Sequence, residues 1–371
     1  MTFFTFVTRG LMRRPVRTGL TIVGIAIGIA AVVALVGMSR GFETSWATGM
    51  KSRGTDIVVS NMGRGLTPKP FSATVVERIA PLPRVAETCS LWVDLLSVEK
   101  ADMIIVSARQ WGGFSWQNLK VVSGRLPNNA VERAVVLGKT AAEVLEKKVG
   151  DTLQLETEEL AVVGIVDGGA VVENGSVILS LALHQEMTGN QGKINIIDLR
   201  VMPGTTKEEL TRLCERISGL VPEARAVIAG EHIRESQAYR MISAMSWGTS
   251  LLAVLVGVLG VMNTMLMTVF ERTQEICVLL AIGWKPTRIV RMVLWESALL
   301  GLLGGVLGVL IGVGGVKLLV TTPGIRGLLE PELKPQLLFL AVSIAVVVGV
   351  VSGIYPAWRS SRLTPSHALH G

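Results

Sequence analysis

Residues 297–316 read SALLGLLGGVLGVLIGVGGV. The run carries no charge and is long enough to cross a bilayer, which takes about 20 apolar residues. Gly301, Gly304, Gly305, Gly308 and Gly312 recur at spacings of four. Such spacing strips side chains from a helix face and lets another helix approach closely. Working outward, three more uncharged runs appear at 18–39, 241–270 and 335–358. Gly24 and Gly28 repeat the spacing in the first. The run at 241–270 is longer than one crossing needs, so its start reads as an outer stalk. The composition agrees: 49% hydrophobic, only 18% charged, and 40 glycines. A soluble domain carries about 25% charged residues. This is a four-helix membrane chain, neither a soluble enzyme nor a disordered polymer.

Charge sets the orientation. The leader 1–17 holds Arg9, Arg13, Arg14 and Arg17 with no acid. The loop 271–291 holds Arg272, Lys285, Arg288 and Arg291 against Glu271 and Glu275, and the tail 359–371 adds Arg359 and Arg362. The loop 317–334 and the region 40–240 are nearly balanced. Basic residues stay on the cytoplasmic side, so the termini and 271–291 are cytoplasmic and 40–240 is outside. The third crossing then occupies 292–316. The net charge of +7 reports membrane orientation and anionic lipid rather than nucleic acid. A cleaved signal peptide has an apolar core of about 7–15 residues; the first run exceeds that and reads as a retained anchor.

The outer region alternates strand and helix signals, an α+β pattern. Residues 56–60, 85–93, 194–201 and 224–229 read as strands, with helices at 72–80 and 205–218. Each end therefore resembles a βαβ unit. Thr205 or Thr206, ahead of Glu208 and Glu209, suits a helix N-terminus. Between the ends, 94–190 is richer in short strands (131–137, 152–156, 160–166) and reads as an inserted subdomain. The connections 40–53 and 230–240 contain no proline and can extend the first two crossings as helices.

Tests for chemistry come back thin. No Gly-x-x-x-x-Gly-Lys-Ser/Thr phosphate loop occurs, so any ATP and Mg belong on another chain. Gly37-Met38-Ser39-Arg40-Gly41 spells a nucleophile elbow, but an elbow needs a strand before the serine, and here a membrane helix precedes it. His367 and His370 have no third ligand nearby, and no metal site is expected. Cys89 and Cys214, both outside, permit one disulfide without requiring it. Met262, Met265 and Met267 on the second crossing read as core filling. Glu296 is an acid inside an apolar stretch. It is either a functional group or a headgroup-level partner for a basic neighbour.

The most informative stretch is Glu271-Arg-Thr-Gln-Glu-Ile-Cys-Val-Leu-Leu-Ala-Ile-Gly-Trp-Lys-Pro-Thr-Arg288. It lies in a cytoplasmic loop yet reads as a helix. Glu271 and Glu275 stand one turn apart, and Ile276, Leu279, Leu280 and Ile282 form an apolar side. Gly283 ends the helix and Pro286 opens the next. The apolar side must be buried against lipid headgroups or in a groove on a partner.

This stretch resembles the Glu-Arg-x-x-Glu-Ile…Leu-x-Ala-Ile-Gly signature of the MacB/FtsX-type ABC transporter permeases. Gly24-Ile-Ala-Ile-Gly28 after a basic leader, and Gly353-Ile-Tyr-Pro-Ala-Trp-Arg359 through Pro365 to Leu369, resemble their first crossing and C-terminal ending. Gly124-Arg125-Leu-Pro, Val149-Gly150-Asp151 and Val162-Val163-Gly164-Ile165 resemble their periplasmic core. Cys277 and Ser361 depart from the usual Gly and Ala. The resemblance implies a non-catalytic permease of the inner membrane, working as a dimer (a homodimer) with a separate cytoplasmic ATPase. Glu271, Arg272, Glu275, Ile276, Leu279, Leu280, Ile282 and Gly283 would dock on that ATPase. ATP-driven closure would rock the long helices and move the outer domain, for efflux of an amphiphilic or lipid-like cargo and with a periplasmic adaptor as a further partner. Rival expectations are a regulator of a cell-wall hydrolase and a stand-alone membrane-anchored enzyme or sensor.

Overall fold

The first uncharged run forms part of one helix, α1 (Pro15–Arg53), which continues well past the apolar stretch. At about 1.5 Å per residue it is about 58 Å long, nearly twice the roughly 30 Å hydrocarbon core. The computed structural model describes residues 15–61, 67–99, 101–322 and 330–362. Arg9, Arg13, Arg14, Arg326, His367, His370 and the Pro365–Leu369 ending lie outside them.

The outer lobe holds strands β1 (Ile57–Ser60), β2 (Phe71–Ser72), β3 (Val85–Val98), β4 (Ala101–Arg109), β5 (Lys120–Gly124) and β6 (Ala134–Gly138). Helix α2 (Val75–Ile79) precedes β3, α3 (Phe114–Gln117) precedes β5, and α4 (Lys139–Leu145) follows β6. Then come β7 (Thr152–Leu155), β8 (Glu158–Asp167), α5 (Val171–Asn174), β9 (Ser176–Ser180) and α6 (Leu181–Thr188). The lobe ends with β10 (Lys193–Ile194), β11 (Ile196–Val201), α7 (Lys207–Leu220), β12 (Arg225–Ile228) and α8 (Ala229–Glu235). The membrane helices after α1 are α9 (Gln237–Glu271), α11 (Pro286–Val320) and α12 (Pro335–Ser361), with the short α10 (Thr273–Ala281) between α9 and α11. All four long helices are long and apolar enough to span a bilayer. Two compact units divide the chain: Met38–Ser243 with Leu319–Glu332, and Met1–Gly37 with Ala244–Leu318 and Leu333–Gly371.

In the outer unit the main sheet runs β12-β1-β11-β3-β4-β9-β6-β8-β5, with β7 beside β8. The two βαβ units, β1-α2-β3 and β11-α7-β12, are present but interleaved. β11 lies between β1 and β3, antiparallel to both, and β1 lies between β11 and β12. Each unit thus splits to admit a strand of the other. The inserted strands prolong the same ladder, β4 pairing antiparallel with β3 and parallel with β9. A buried cluster including Ile57, Val106, Leu137, Leu179 and Ile217 runs along it. Of the two cap candidates, Thr206 is the cap: its Oγ1 accepts from Glu209 N, and Thr206 N donates to Glu209 Oε2. The strand expected at 131–137 begins only at Ala134, because Arg125 pairs with Glu132 and holds the preceding turn. The two connections differ. Residues 40–53 do continue α1, whereas 230–240 breaks at Ser236, whose extended backbone ends α8 and whose Oγ accepts Tyr239 N to cap α9. Glu43 of α1 accepts from Tyr239 Oη at 2.7 Å and from Arg234 Nε, bracing that corner.

In the bundle unit the glycine stripe of α11 serves two neighbours in the same chain. A Cβ at Gly304 or Gly308 would collide with Ile25 or Ala26 of α1, one at Gly312 would crowd Val33 and Ala30 there, and one at Gly301 or Gly305 would collide with Ala345 of α12. Gly28 closes on Ala253 of α9. Gly24 departs from the packing expectation: nothing lies within 4 Å of its would-be Cβ. It faces instead a cavity of about 390 Å³ between α1 and α9, lined by Thr21, Gly257, Gly260, Thr264 and Met267.

Candidate coupling site

The stretch 271–288 is a built corner. α9 ends at Glu271; Arg272 bends the chain (φ −100°, ψ 15°) and α10 starts at Thr273. The hydrogen-bond ladder passes through the bend, Arg272 N to Thr268 O and Ile276 N to Arg272 O. The helix expected over 271–283 is therefore two, with Glu271 on the first, because Thr273 Oγ1 donates back to Phe270 O and Arg272 leaves helical geometry.

Three other helices hold the corner. Arg17 of α1 donates to Glu271 Oε2 at 2.9 Å and to Thr268 Oγ1 at 2.9 Å. Arg272 Nη1 pairs with Glu296 Oε2 of α11 at 3.2 Å, and its Nε reaches Glu275 at 3.4 Å. Arg359 of α12 lies over the Phe270 ring, 4.6 Å from its centroid. Glu296, 3% exposed, is thus the buried anchor of the bend, paired with a basic neighbour.

The apolar side of α10 divides. Ile276 and Cys277 are buried in the bundle, so Ile276 is not available to an outside partner; Leu279 and Leu280 are half-buried. Ile282 and Val278 are exposed, at 73% and 54%. Gly283 (φ +96°) closes α10: its N–H donates to Leu280 O and that of Trp284 to Leu279 O, the paired bonds of a Schellman turn. Pro286 then opens α11, and Arg288 sits over the Trp284 ring. Exposed along this stretch are the acids Glu271 and Glu275, the bases Lys285, Arg288 and Arg291, and the apolar Val278 and Ile282. Such a face suits docking onto a charged, partly apolar groove.

Ser39 lies within α1, so no strand–turn–helix elbow forms around it. Among the described residues no cluster of three metal-ligating side chains occurs. Cys89 keeps a buried free thiol, 3.3 Å from Ser115 Oγ, and is not bonded to Cys214. Sequence reasoning placed Arg272 on the docking face without its second task, and missed Arg17 and Arg359. Their partners lie far along the chain and no local periodicity marks them.

The family model of the MacB-like periplasmic core domain matches residues 18–217, and that of the FtsX-like permease C-terminal region matches 247–365. The chain is 26% identical, over 99% of its length, to an uncharacterized ABC transporter permease of Methanocaldococcus jannaschii, of which it covers 97%. Over 95% of its length it is 28% identical to the macrolide export ATP-binding/permease protein MacB of Bartonella quintana. Over the same share it is 26% identical to the pyoverdine export ATP-binding/permease protein PvdT of Pseudomonas savastanoi pv. phaseolicola. It spans 57% of the length of each of these two export proteins.

Proposed function

The chain belongs to the MacB/FtsX-type ABC transporter permeases, and from that premise we propose that it passes ATP-driven motion from a cytoplasmic ATPase partner to its outer lobe, to export an amphiphilic or lipid-like substrate. The observation that carries this reading is the α9–α10–α11 corner. Arg272–Glu296 ties its arms together and Arg17 and Arg359 link its inner side to α1 and α12, while its outward face stays charged and apolar. A partner moving that face moves the bundle with it, as coupling through a packed element requires. ATP and Mg are assigned to the partner, since these 371 residues contain no phosphate loop, and this chain contributes no catalytic residue. Export as the outcome is supported by what the MacB and PvdT relatives are named for.

The basic excess on 1–17, 271–291 and 359–371 supports an inner-membrane orientation with cytoplasmic termini and an outer lobe facing away, where an adaptor would dock. A second copy is assigned to the α1–α9 side. α9 is less than half as buried as the other three crossings, and the cavity beside Gly24 opens there.

The test is co-purification with the ATPase and measurement of its stimulated hydrolysis in lipid nanodiscs. Reversing Glu275 and Ile282 to Arg and Glu should lower stimulation at least about tenfold, the loss of ~1.4 kcal/mol of interface energy, at an unchanged thermal midpoint. Full stimulation by that variant would contradict the reading.

A further inference from the structure

This inference rests on the transmission reading and concerns the opposite end of α1. The helix ends inside the outer lobe. Met50, on its last turns, packs with Val58, Leu91 and Phe114. Gly54 (φ +81°) stops the helix, and Asn118 Nδ2 donates to the carbonyl of Arg53 at 2.8 Å. The Arg53 side chain is 6% exposed and forks between two elements: Nε donates to Asp198 Oδ2 of β11 at 2.9 Å, and Nη1 to Glu173 Oε1 of α5 at 2.8 Å. The second oxygen of Glu173 accepts from Arg109 of β4, itself fully buried. Arg109 also donates to Ser107 Oγ and to the Ser115 carbonyl, and Thr55 Oγ1 donates to Asp198 Oδ2. Two cations and two anions, all shut away from solvent, thus tie one helix end to two strands and a short helix.

Stability alone does not account for such a network. Apolar residues of similar volume often fill such positions as well or better, and here one oxygen, Asp198 Oδ1, is buried with no hydrogen-bond partner. What the network supplies is direction. Apolar packing is non-directional and tolerates a helix turning by a few degrees. A planar guanidinium holding two carboxylates on different elements admits one rotation and one register. We propose that Arg53 is a positioning residue: with Glu173, Arg109 and Asp198 it fixes the rotation of α1 against the outer sheet, making the rigid joint through which helix motion reaches the lobe.

The test reads the joint in the full chain, in nanodiscs and without nucleotide. Nitroxides are placed at two exposed positions, Thr48→Cys on α1 and Glu208→Cys on α7; the native cysteines are buried. Pulsed EPR then gives the distance distribution. Arg53→Met with Asp198→Asn removes one charge of each sign and leaves the Arg109–Glu173 pair intact. The distribution should at least double in width while the thermal midpoint moves by no more than about 2 °C. Arg53→Lys keeps the charge but loses the fork and should give an intermediate width. An unchanged width in the double variant overturns the proposal, as does broadening that appears only with a fallen midpoint. Should the double variant not fold, an unchanged width in Arg53→Lys overturns it. No ATPase is present, so absence of nucleotide-driven motion in the wild-type chain, measured separately with the partner, would count against the transmission reading and not against the joint.

Discussion

Both ends of α1 are held by an arginine, and they are held in opposite ways. Arg17 meets Glu271 where each side chain keeps 23% of its surface in solvent. Arg53 meets Glu173 and Asp198 where the carboxylates keep 2% and none. A half-exposed pair is screened and worth little, so it can break and re-form as the corner moves. A buried network carries a large penalty for any single loss, because what remains is a charge without its counter-charge. One end of the helix is therefore built to be adjustable and the other to be fixed, which suits a rod that receives motion at one end and delivers it at the other.

The sharpest way to break this comparison is Glu173→Gln. It leaves two buried guanidiniums facing one carboxylate and should cost about 3–5 kcal/mol, read as a fall in the outer lobe's thermal or denaturant midpoint. A loss below 1 kcal/mol, on that same scale, would mean the network is solvated and the contrast false. Acid is the next lever. Burial, and secondarily Arg53, hold His232 down to about 4, and Glu173 is held below the usual carboxylate range because Arg109 and Arg53 outweigh its burial. An unfolded histidine takes its proton near 6.5. The unfolded lobe thus binds that proton first, and stability is complete above pH 6.5 and lost as the pH falls toward 4. Between pH 7 and 4.5 His232 should account for about 2–3 kcal/mol. In His232→Gln the fall across that window should shrink by that amount, leaving the share of His184, which burial also holds low, and an equally steep fall would contradict the assignment. The smallest effect belongs to the inner end. Exchanging Arg17 and Glu271 for one another should change stability by about 0–1 kcal/mol, with the thermal midpoint of the bundle as the readout; a large loss would place that pair in the same class as Arg53.

How much of this was legible in the sequence follows from the range of the forces. The crossings were, because a bilayer demands a long uncharged run and residues 297–316 supply one. The Gly283 turn was, because a positive φ before Pro286 leaves glycine as the natural occupant, and the α7 cap was narrowed to Thr205 or Thr206, because the cap's partner, Glu209, lies only three residues past Thr206. The α+β character of the outer lobe was legible too; its interleaving was not, since nothing in β1 or β11 names its neighbour. Gly24 shared the spacing of Gly28 but not its environment, because spacing marks a face and not what covers it. The break at Ser236, whose hydroxyl caps α9, was not legible, since no proline or glycine marks it. Arg53, Arg109, Glu173 and Asp198 are separated by tens to more than a hundred residues, and each alone reads as a solvated surface charge.

The central claim, that nucleotide work done on the cytoplasmic face reaches the outer lobe, is tested most directly by one distance. Two copies labelled at Glu208→Cys, assembled with the ATPase in nanodiscs, are measured by pulsed EPR with and without ATP and Mg. The account predicts a shift in the lobe-to-lobe distance larger than the width of the nucleotide-free distribution. An unmoved distance while ATP is being hydrolysed would contradict it.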